Sequence, residues 1–121
     1  MAKRILVVDD DELVLMAVNE LLKPEGYEVH PVSSGAEALE KLDQDGYDLL
    51  MLDIIMPEMD GFELCKKIRE KEGYKETPIV FLSAKSRDED RNRGIEVGAN
   101  LFLSKPISPE KLLEIISDTV G

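Results

Sequence analysis

Carboxylate, hydroxyl and amine side chains follow four apolar segments of the 121-residue sequence. Three consecutive aspartates come after ILVV, one aspartate after DLLML, a serine after PIVFL and a lysine after LFLS: Asp9, Asp10, Asp11, Asp53, Ser83 and Lys105. Two carboxylates about 4 Å apart repel each other by roughly 4 kcal/mol at an effective dielectric near 20, unless a cation joins them or one is protonated. The aspartates therefore predict a site for a hard divalent cation.

The same residue types suit phosphoryl chemistry. Mg²⁺ binds through one or two carboxylates and keeps positions open for phosphate oxygens, and an aspartate can act as a nucleophile and form an acyl phosphate. The amine of Lys105 and the hydroxyl of Ser83 could stabilise the charge on the transferring phosphoryl oxygens. Together these residues predict a magnesium-assisted phosphoryl site with an aspartate as acceptor.

Each of these residues also has a structural explanation. One of the three consecutive aspartates could cap the first helix, and Asp53 could cap a turn before Pro57. Ser83 could be a loop hydroxyl and Lys105 a surface lysine. A cap needs only one aspartate, however, and a lone charge directly after a buried strand is costly. The group is therefore a more specific indication of a site than any of its members.

Five short apolar runs predict β-strands at 4–8, 27–32, 47–52, 78–82 and 101–103. ILVV and DLLML lack polar alternation, which is typical of strands covered on both faces in a parallel sheet. Helical patterns separate the runs, and strict alternation predicts an α/β fold with right-handed crossovers. Five units favour a doubly wound five-stranded parallel sheet of order 2-1-3-4-5, a flavodoxin-like three-layer sandwich, over an eight-unit barrel. Ligands bind such sheets at the carboxyl ends of strands 1 and 3, which carry the aspartates.

Apolar spacing and capping residues predict the helices. Ser108 and Pro109 mark the start of the last helix, and glycines are expected to end the helices before each returning strand. The fourth helix is expected within 86–100, interrupted by Gly94 and weakly anchored, either as a solvated helix or as a movable output element. The apolar stripe of the first helix consists of Leu13, Val14, Ala17, Val18, Leu21 and Leu22. The glycines expected to end helices are Gly26, Gly46, Gly73 and Gly98.

Composition limits the function classes. Hydrophobic residues make up 43% and charged residues 34%, as in a globular chain, and we expect one domain, 1–121. A net charge of −11 would repel nucleic acid and anionic membranes, and it suits a cation site, a basic protein partner or simply solubility. The start MAKRILVV is too short for a signal-peptide core, and the single cysteine, Cys65, excludes an internal disulfide. We therefore expect a cytoplasmic protein.

The motifs VVDDD, LDIIMPEMDG, FLSAK and LFLSKP occur in the order and approximate spacing of a known family. The chain resembles the receiver domain of two-component response regulators, including chemotaxis regulators, from Arg4 to the final helix. The resemblance implies a phosphorelay switch that is not an enzyme for other substrates and catalyses only its own phosphorylation and dephosphorylation. The implied cofactor is Mg²⁺ (or Mn²⁺), and the implied phosphodonor is a histidine kinase or a histidine phosphotransfer protein.

The resemblance also implies a role for each site residue. Asp53 would accept the phosphoryl group, and Lys105 would pair with Asp53 and then with that group. The cation would be bound by Asp10, Asp53 and the backbone carbonyl of Ile55, and by Asp9 through water. Ser83 would hydrogen-bond a phosphoryl oxygen, Phe102 occupies the switch-aromatic position, and the bond before Pro106 would be cis. Asp11 is left to capping the first helix.

Positions outside the site affect the details. Ile55 and Lys85 stand two residues after Asp53 and Ser83, where the family tunes the lifetime of the phosphate, and apolar Ile55 predicts a long lifetime. Switching would change the surface formed by helix 4, strand 5 and helix 5, through which a phosphorylation-dependent dimer is also expected. A metal-dependent phosphohydrolase with an aspartyl nucleophile is the alternative, but such enzymes usually have a second acid where this chain has Ile55.

Overall fold

The computed structural model describes residues 2–120 as alternating strands and helices. Met1 and Gly121, the two ends of the expected domain 1–121, lie outside the described residues. The strands are β1 (Arg4–Val8), β2 (Glu28–Val32), β3 (Leu49–Leu52), β4 (Ile79–Ser83) and β5 (Leu101–Ser104). The helices are α1 (Glu12–Leu22), α2 (Gly35–Gln44), α3 (Gly61–Glu70), α4 (Asp88–Glu96) and α5 (Pro109–Val120), with a 3-10 turn at Lys23–Glu25.

The five strands form one parallel sheet in the order β2-β1-β3-β4-β5, which confirms the predicted doubly wound, flavodoxin-like arrangement. Val8 is in register with Val32 on one side and with Leu52 on the other, and Leu52 is in register with Phe81. The carboxyl ends of these neighbouring strands therefore lie side by side at one edge of the sheet, where the residues that follow them can meet.

Two apolar cores cover the two faces of the sheet. Leu6 and Val8 of β1 belong to the core that includes α2 and α3, while Ile5 and Val7 belong to the core that includes α1 and α5. This division follows from the period of two along a strand, because successive side chains point to opposite faces. Continuous apolar runs are therefore required for β1, β3 and β4, which are buried on both faces.

Helix α1 buries part of the predicted stripe and adds Leu15 to it. Val14 and Leu21 are partly buried against the core, whereas Ala17 is exposed. Leu15, Val18 and Leu22 are buried, whereas Leu13 is 75% exposed. The sequence ELVLMAVNELL is apolar at so many positions that spacing alone does not fix which of them face the sheet. The predicted cap is confirmed, since the Asp11 carboxylate accepts a hydrogen bond from the N–H of Leu13 at 3.0 Å.

The glycine predictions are confirmed only in part. Gly26 and Gly98 have the left-handed conformation directly after helical turns, as predicted. Gly73 is also left-handed, but it lies in the turn beyond α3, which ends in extended backbone at Lys71. Gly46 is not among the residues with positive φ, and α2 ends before it in extended backbone at Asp45. Gly94 does not interrupt α4; it is buried within the helix. Within residues 2–120, no helix combines the length and apolarity needed to cross a bilayer.

Candidate functional site

The strand ends bring the predicted site residues together through backbone hydrogen bonds. The N–H of Asp53 donates to the carbonyl of Val8 at 2.9 Å, and this bond fixes the residue after β3 beside the end of β1. The N–H of Lys105 donates in the same way to the carbonyl of Ser83 at 2.9 Å. The site is therefore built by continuing the parallel ladders one residue beyond the strands.

Three carboxylates meet at this edge of the sheet. Asp9, Asp10 and Asp53 each have an oxygen within 4.8 Å of the oxygens of the other two. Asp9 and Asp53 are buried and Asp10 is exposed, so the group opens to solvent on one side. Oxygen ligands, two of them desolvated, with an open side for water or phosphate are what Mg²⁺ prefers in proteins, so these residues fit that ion.

Lys105 lies against the buried pair of acids. Its Nζ is 2.9 Å from Oδ2 of Asp9 and 3.7 Å from Oδ2 of Asp53. The pairing with Asp53 expected from the sequence is thus accompanied by a shorter bond to Asp9. The lysine neutralises part of the acidic charge while leaving the exposed side of the site free, because it approaches the two buried carboxylates and not Asp10.

Burial and the neighbouring charge of Asp9 act on the pKa of Asp53 in the same direction. Desolvation raises the pKa of the Asp53 carboxyl above its ordinary value and the charge of Asp9 raises it further, while the charge of Lys105 opposes both. For Lys105, burial alone would lower the pKa, but the hydrogen bond to Asp9 and the charge of Asp53 outweigh it, so that pKa is raised. The lysine therefore stays protonated beside a carboxylate that is costly to ionise.

Ser83 and Ile55 occupy contrasting positions around Asp53. Ser83 is fully buried at the end of β4, its Oγ accepts the N–H of Lys85 at 3.1 Å, and its hydroxyl helps to lower the pKa of Asp53. Ile55 is 60% exposed in the loop after β3. The hydroxyl is therefore held in place next to the Asp53 carboxylate, whereas the isoleucine side chain projects towards solvent.

Phe102 and Pro106 lie on either side of Ser104 and Lys105. The Phe102 ring is half-buried and lies 5.8 Å from the ring of Phe81, centroid to centroid. The peptide bond between Lys105 and Pro106 is cis. The switch-aromatic candidate thus packs on β4, the strand that ends in Ser83.

Sequence reasoning did not assign a role to Gly61. A Cβ on Gly61 would overlap the carbonyl oxygen of Asp53 and lie 2.8 Å from the Cα of Ile54, so α3 begins directly against the backbone of these two residues. The Gly61 N–H donates to the carbonyl of Ile54 at 2.8 Å. The DG pair at the end of LDIIMPEMDG is the sequence signal for this contact, because Asp60 caps α3 and the residue after it must be small.

Asp90 is a second residue that the sequence did not single out. It is buried in the first turn of α4, and its carboxylate accepts the N–H of Arg87 at 3.1 Å. The Nζ of Lys85 lies 3.9 Å from the same carboxylate. Asp90 therefore ties the start of α4 to the loop that follows Ser83.

The domain combines a doubly wound parallel sheet with an acidic site at the carboxyl edge of that sheet. Comparison with known proteins identifies the family that has this combination. Residues 5–117 match the family model described as "Response regulator receiver domain". The chain belongs to this family, the receiver domains of two-component phosphorelay signalling.

Individual relatives agree with this assignment. Over 112 residues the chain is 39% identical to the alkaline phosphatase synthesis transcriptional regulatory protein PhoP of Bacillus subtilis, covering 93% of this chain and 46% of PhoP. The chain thus spans about half the length of this curated relative.

Solved structures of the same fold are closely similar. The chemotaxis protein CheY4 of Vibrio cholerae superposes with a TM-score of 0.94 at 36% identity, over 98% of this chain and 99% of that one. The receiver domain of sensor histidine kinase PA1611 from Pseudomonas aeruginosa has a TM-score of 0.91 at 28% identity, over 100% of this chain and 99% of that one. The latter structure has a magnesium ion coordinated in its active site cleft.

Proposed function

We propose that this domain accepts a phosphoryl group from a phosphohistidine partner onto Asp53 in a Mg²⁺-dependent reaction. The observation that carries the proposal is the grouping of Asp9, Asp10 and Asp53 within 4.8 Å, with the ammonium of Lys105 against the buried pair. Asp10, Asp53 and the Ile55 carbonyl would hold the ion, with Asp9 acting through water. Mg²⁺, or Mn²⁺ in its place, would neutralise charge on the phosphoryl oxygens as they approach the acids.

The transfer exchanges one bond to phosphorus for another. A carboxylate oxygen of Asp53 attacks the phosphorus, the P–N bond to the histidine breaks, and the ring nitrogen keeps the electron pair of that bond. Asp53 becomes an acyl phosphate, towards which Lys105 can donate from its ammonium and Ser83 from its hydroxyl. The depth of Ser83 and its fixed Oγ support this role, because a preorganised donor costs little to align.

The domain would catalyse only these two reactions of its own, phosphorylation and the later hydrolysis of the acyl phosphate. Hydrolysis requires a water molecule in line with the phosphorus. Ile55 is exposed beside the site and has no polar atom in its side chain to hold such a water. We therefore propose a slow hydrolysis and a long-lived phosphorylated form.

Phosphorylation would be transmitted through Ser83 and Phe102 to the surface formed by α4, β5 and α5. This surface carries Ile95 and Leu101, which are 69% and 39% exposed. Exposed apolar side chains on neighbouring elements support a role in protein contacts, including a phosphorylation-dependent dimer.

The phosphodonor would be a histidine kinase or a histidine phosphotransfer protein, and residues 1–121 would act as a single receiver domain. Leu13 and Met16 of α1 are 75% and 56% exposed, and Ile55 is 60% exposed. These side chains follow Asp11 and Asp53 in the chain, so they offer an apolar contact area near the site for the donor. A cytoplasmic location is proposed on the basis of the free, buried thiol of Cys65.

The experiment is incubation with Mg²⁺ and a small-molecule phosphodonor such as acetyl phosphate, followed by mass spectrometry of the intact protein and its peptides. One acid-stable, base-labile phosphoryl group on Asp53 is expected, and it should be absent from Asp53→Asn and from samples containing a chelator. Labelling of another residue, or steady release of phosphate from phosphomonoesters, would contradict the proposal.

A further inference from the structure

Helix α4 is attached to the rest of the domain by few apolar contacts. Of its nine residues only Asp90 and Gly94 are buried, and its one large apolar side chain, Ile95, is 69% exposed. Most helices in proteins are held by packing of an apolar face. The position of α4 must therefore depend strongly on the polar contacts that it makes.

One of these contacts joins α4 to β5 at two points. The guanidinium of Arg91 donates from Nη1 to the carbonyl oxygen of Phe102 at 3.2 Å and from Nη2 to Oγ of Ser104 at 2.7 Å. Its Cζ also lies 5.1 Å from the centroid of the Phe102 ring, within the range of a cation–π contact. The planar, forked guanidinium can make these contacts together, which the single ammonium of a lysine could not.

Gly94 allows the helix to come close enough for this arrangement. A Cβ on Gly94 would lie 3.2 Å from Cδ2 of Phe102 and 3.3 Å from Cδ2 of Phe81. The Phe102 ring therefore packs on both β4 and the helix backbone, while Arg91, less than one turn before Gly94, holds the adjoining strand. The inward position of this ring is linked to the contact between Arg91 and β5.

The same contact reaches the acidic site. Ser104 directly precedes Lys105, whose Nζ lies 2.9 Å from Asp9. We propose that Arg91 is a positioning residue that fixes Phe102 and the lysine end of β5 relative to α4, and so couples the acidic site to that helix. The coupling rests on the proposed phosphoacceptor function, whereas the fixing of Phe102 can be tested without it.

Arg93 is a matched control on the same helix. Its guanidinium Cζ lies 4.5 Å from the centroid of the Phe62 ring, so it makes a cation–π contact with α3 instead of β5. Substituting Arg91 or Arg93 by alanine removes the same side chain and the same charge. Only the Arg91 variant removes the hydrogen bonds to Phe102 and Ser104.

The first measurement is NMR of the unphosphorylated protein. Wild type and Arg93→Ala should show cross-relaxation between the Phe102 ring protons and the Hα protons of Gly94, and Arg91→Ala should lose it. Arg91→Lys should give an intermediate signal, and it replaces the alanine variant if that variant does not fold. Unchanged cross-relaxation and ring shifts in the Arg91 variants would overturn the proposal.

The second measurement is the affinity for beryllofluoride in the presence of Mg²⁺, as a mimic of the acyl phosphate. We expect Arg91→Ala and Ser104→Ala each to bind beryllofluoride at least about fivefold more weakly than wild type. Because both variants break the same contact, the double variant should bind it no more weakly than either single variant. Arg93→Ala should have the affinity of wild type. Equal affinities for all variants would overturn the coupling. Failure of the wild-type protein itself to bind the mimic would contradict the phosphoacceptor function, and the NMR result would still decide the role of Arg91.

Discussion

The Nζ of Lys105 lies 2.9 Å from Oδ2 of Asp9, a residue that precedes it by 96 positions in the chain. The distance to Asp53 is longer, 3.7 Å, so the lysine is bonded first to the acid beside the proposed acceptor. This arrangement stabilises the negative charge of the acids with a fixed cation. A second cation entering the site must share those carboxylates with the lysine.

Substituting Lys105 by methionine should therefore strengthen Mg²⁺ binding while it slows phosphorylation. Removing a positive charge a few ångströms from the site removes repulsion of the ion, and we expect the Kd for Mg²⁺ to fall by about tenfold. Isothermal titration at constant ionic strength measures the affinity, and acetyl phosphate labelling measures the rate. Weaker Mg²⁺ binding in Lys105→Met would show that the lysine supports the ion instead of competing with it.

The neighbouring acids Asp10 and Asp11 should differ sharply in their effect on Mg²⁺. Asp10 belongs to the group of three carboxylates, whereas the carboxylate of Asp11 caps α1 by accepting the N–H of Leu13. We expect Asp10→Asn to weaken Mg²⁺ binding by about tenfold or more, and Asp11→Asn to leave it nearly unchanged, since asparagine is also a good cap. Equal losses in the same titration would mean that both acids act only through net charge.

Ile55→Asn should shorten the lifetime of the phosphorylated protein. An amide in this exposed position can hydrogen-bond a water near Asp53, which the isoleucine side chain cannot do. We expect the rate of hydrolysis of the acyl phosphate to rise by about tenfold, a magnitude that the positioning of a reacting water molecule can supply. The decay of phosphoprotein after removal of the donor provides the rate, and a longer lifetime for the variant would reject the explanation.

The raised pKa of Asp53 predicts a pH-dependent gain in stability for Asp53→Asn. Since the pKa is higher in the folded than in the unfolded protein, ionisation of Asp53 favours unfolding, and the wild type loses stability as pH rises through the folded pKa. The variant lacks this loss. Its melting temperature without Mg²⁺ should exceed that of wild type at pH 7, and the difference should disappear below about pH 3.9, the ordinary value for aspartate. A difference that is independent of pH would contradict this assignment.

Gly61→Ala should be destabilising and should also displace Asp53, the proposed acceptor. The added methyl group would overlap the backbone of Asp53, and overpacking of this kind typically costs about 1–3 kcal/mol. Gly46→Ala is the control, because a Cβ there meets no atom within 4 Å, and we expect a change within about 0.5 kcal/mol. Urea unfolding of both variants measures the free energies. Equal values would indicate that the start of α3 can shift without cost.

The sequence predicts the sheet well because its signals are long and redundant. Apolar runs without polar alternation, separated by helical patterns, leave few arrangements for β1 to β5, and the strand order then brings Asp9 and Asp53 together. Asp11 as a helix cap is predictable for the same reason, since capping depends on local backbone alone.

The details that sequence does not predict depend on contacts between distant segments. The phase of α1 is set by packing on the sheet, so Leu13 is exposed although its type suggests burial. The low helix propensity of glycine predicts an interruption of α4 at Gly94. The helix continues through Gly94, and the close approach of the Phe102 ring explains why a glycine is present there. The Nζ of Lys105 is 2.9 Å from Oδ2 of Asp9 and 3.7 Å from Oδ2 of Asp53. This difference of 0.8 Å depends on side-chain placement, which the spacing of residues along the chain does not predict.

The separation of 96 positions between Asp9 and Lys105 also has a consequence for biosynthesis. Parallel pairing supplies no local route to this contact, so the lysine can reach the acids only after β4 and β5 have joined the sheet. A nascent chain that has emerged only as far as Asp53, directly after β3, already carries Asp9, Asp10 and Asp53 but lacks the amine of Lys105. The domain would therefore become able to accept a phosphoryl group only late in folding. Only molecules whose sheet is complete could then be phosphorylated.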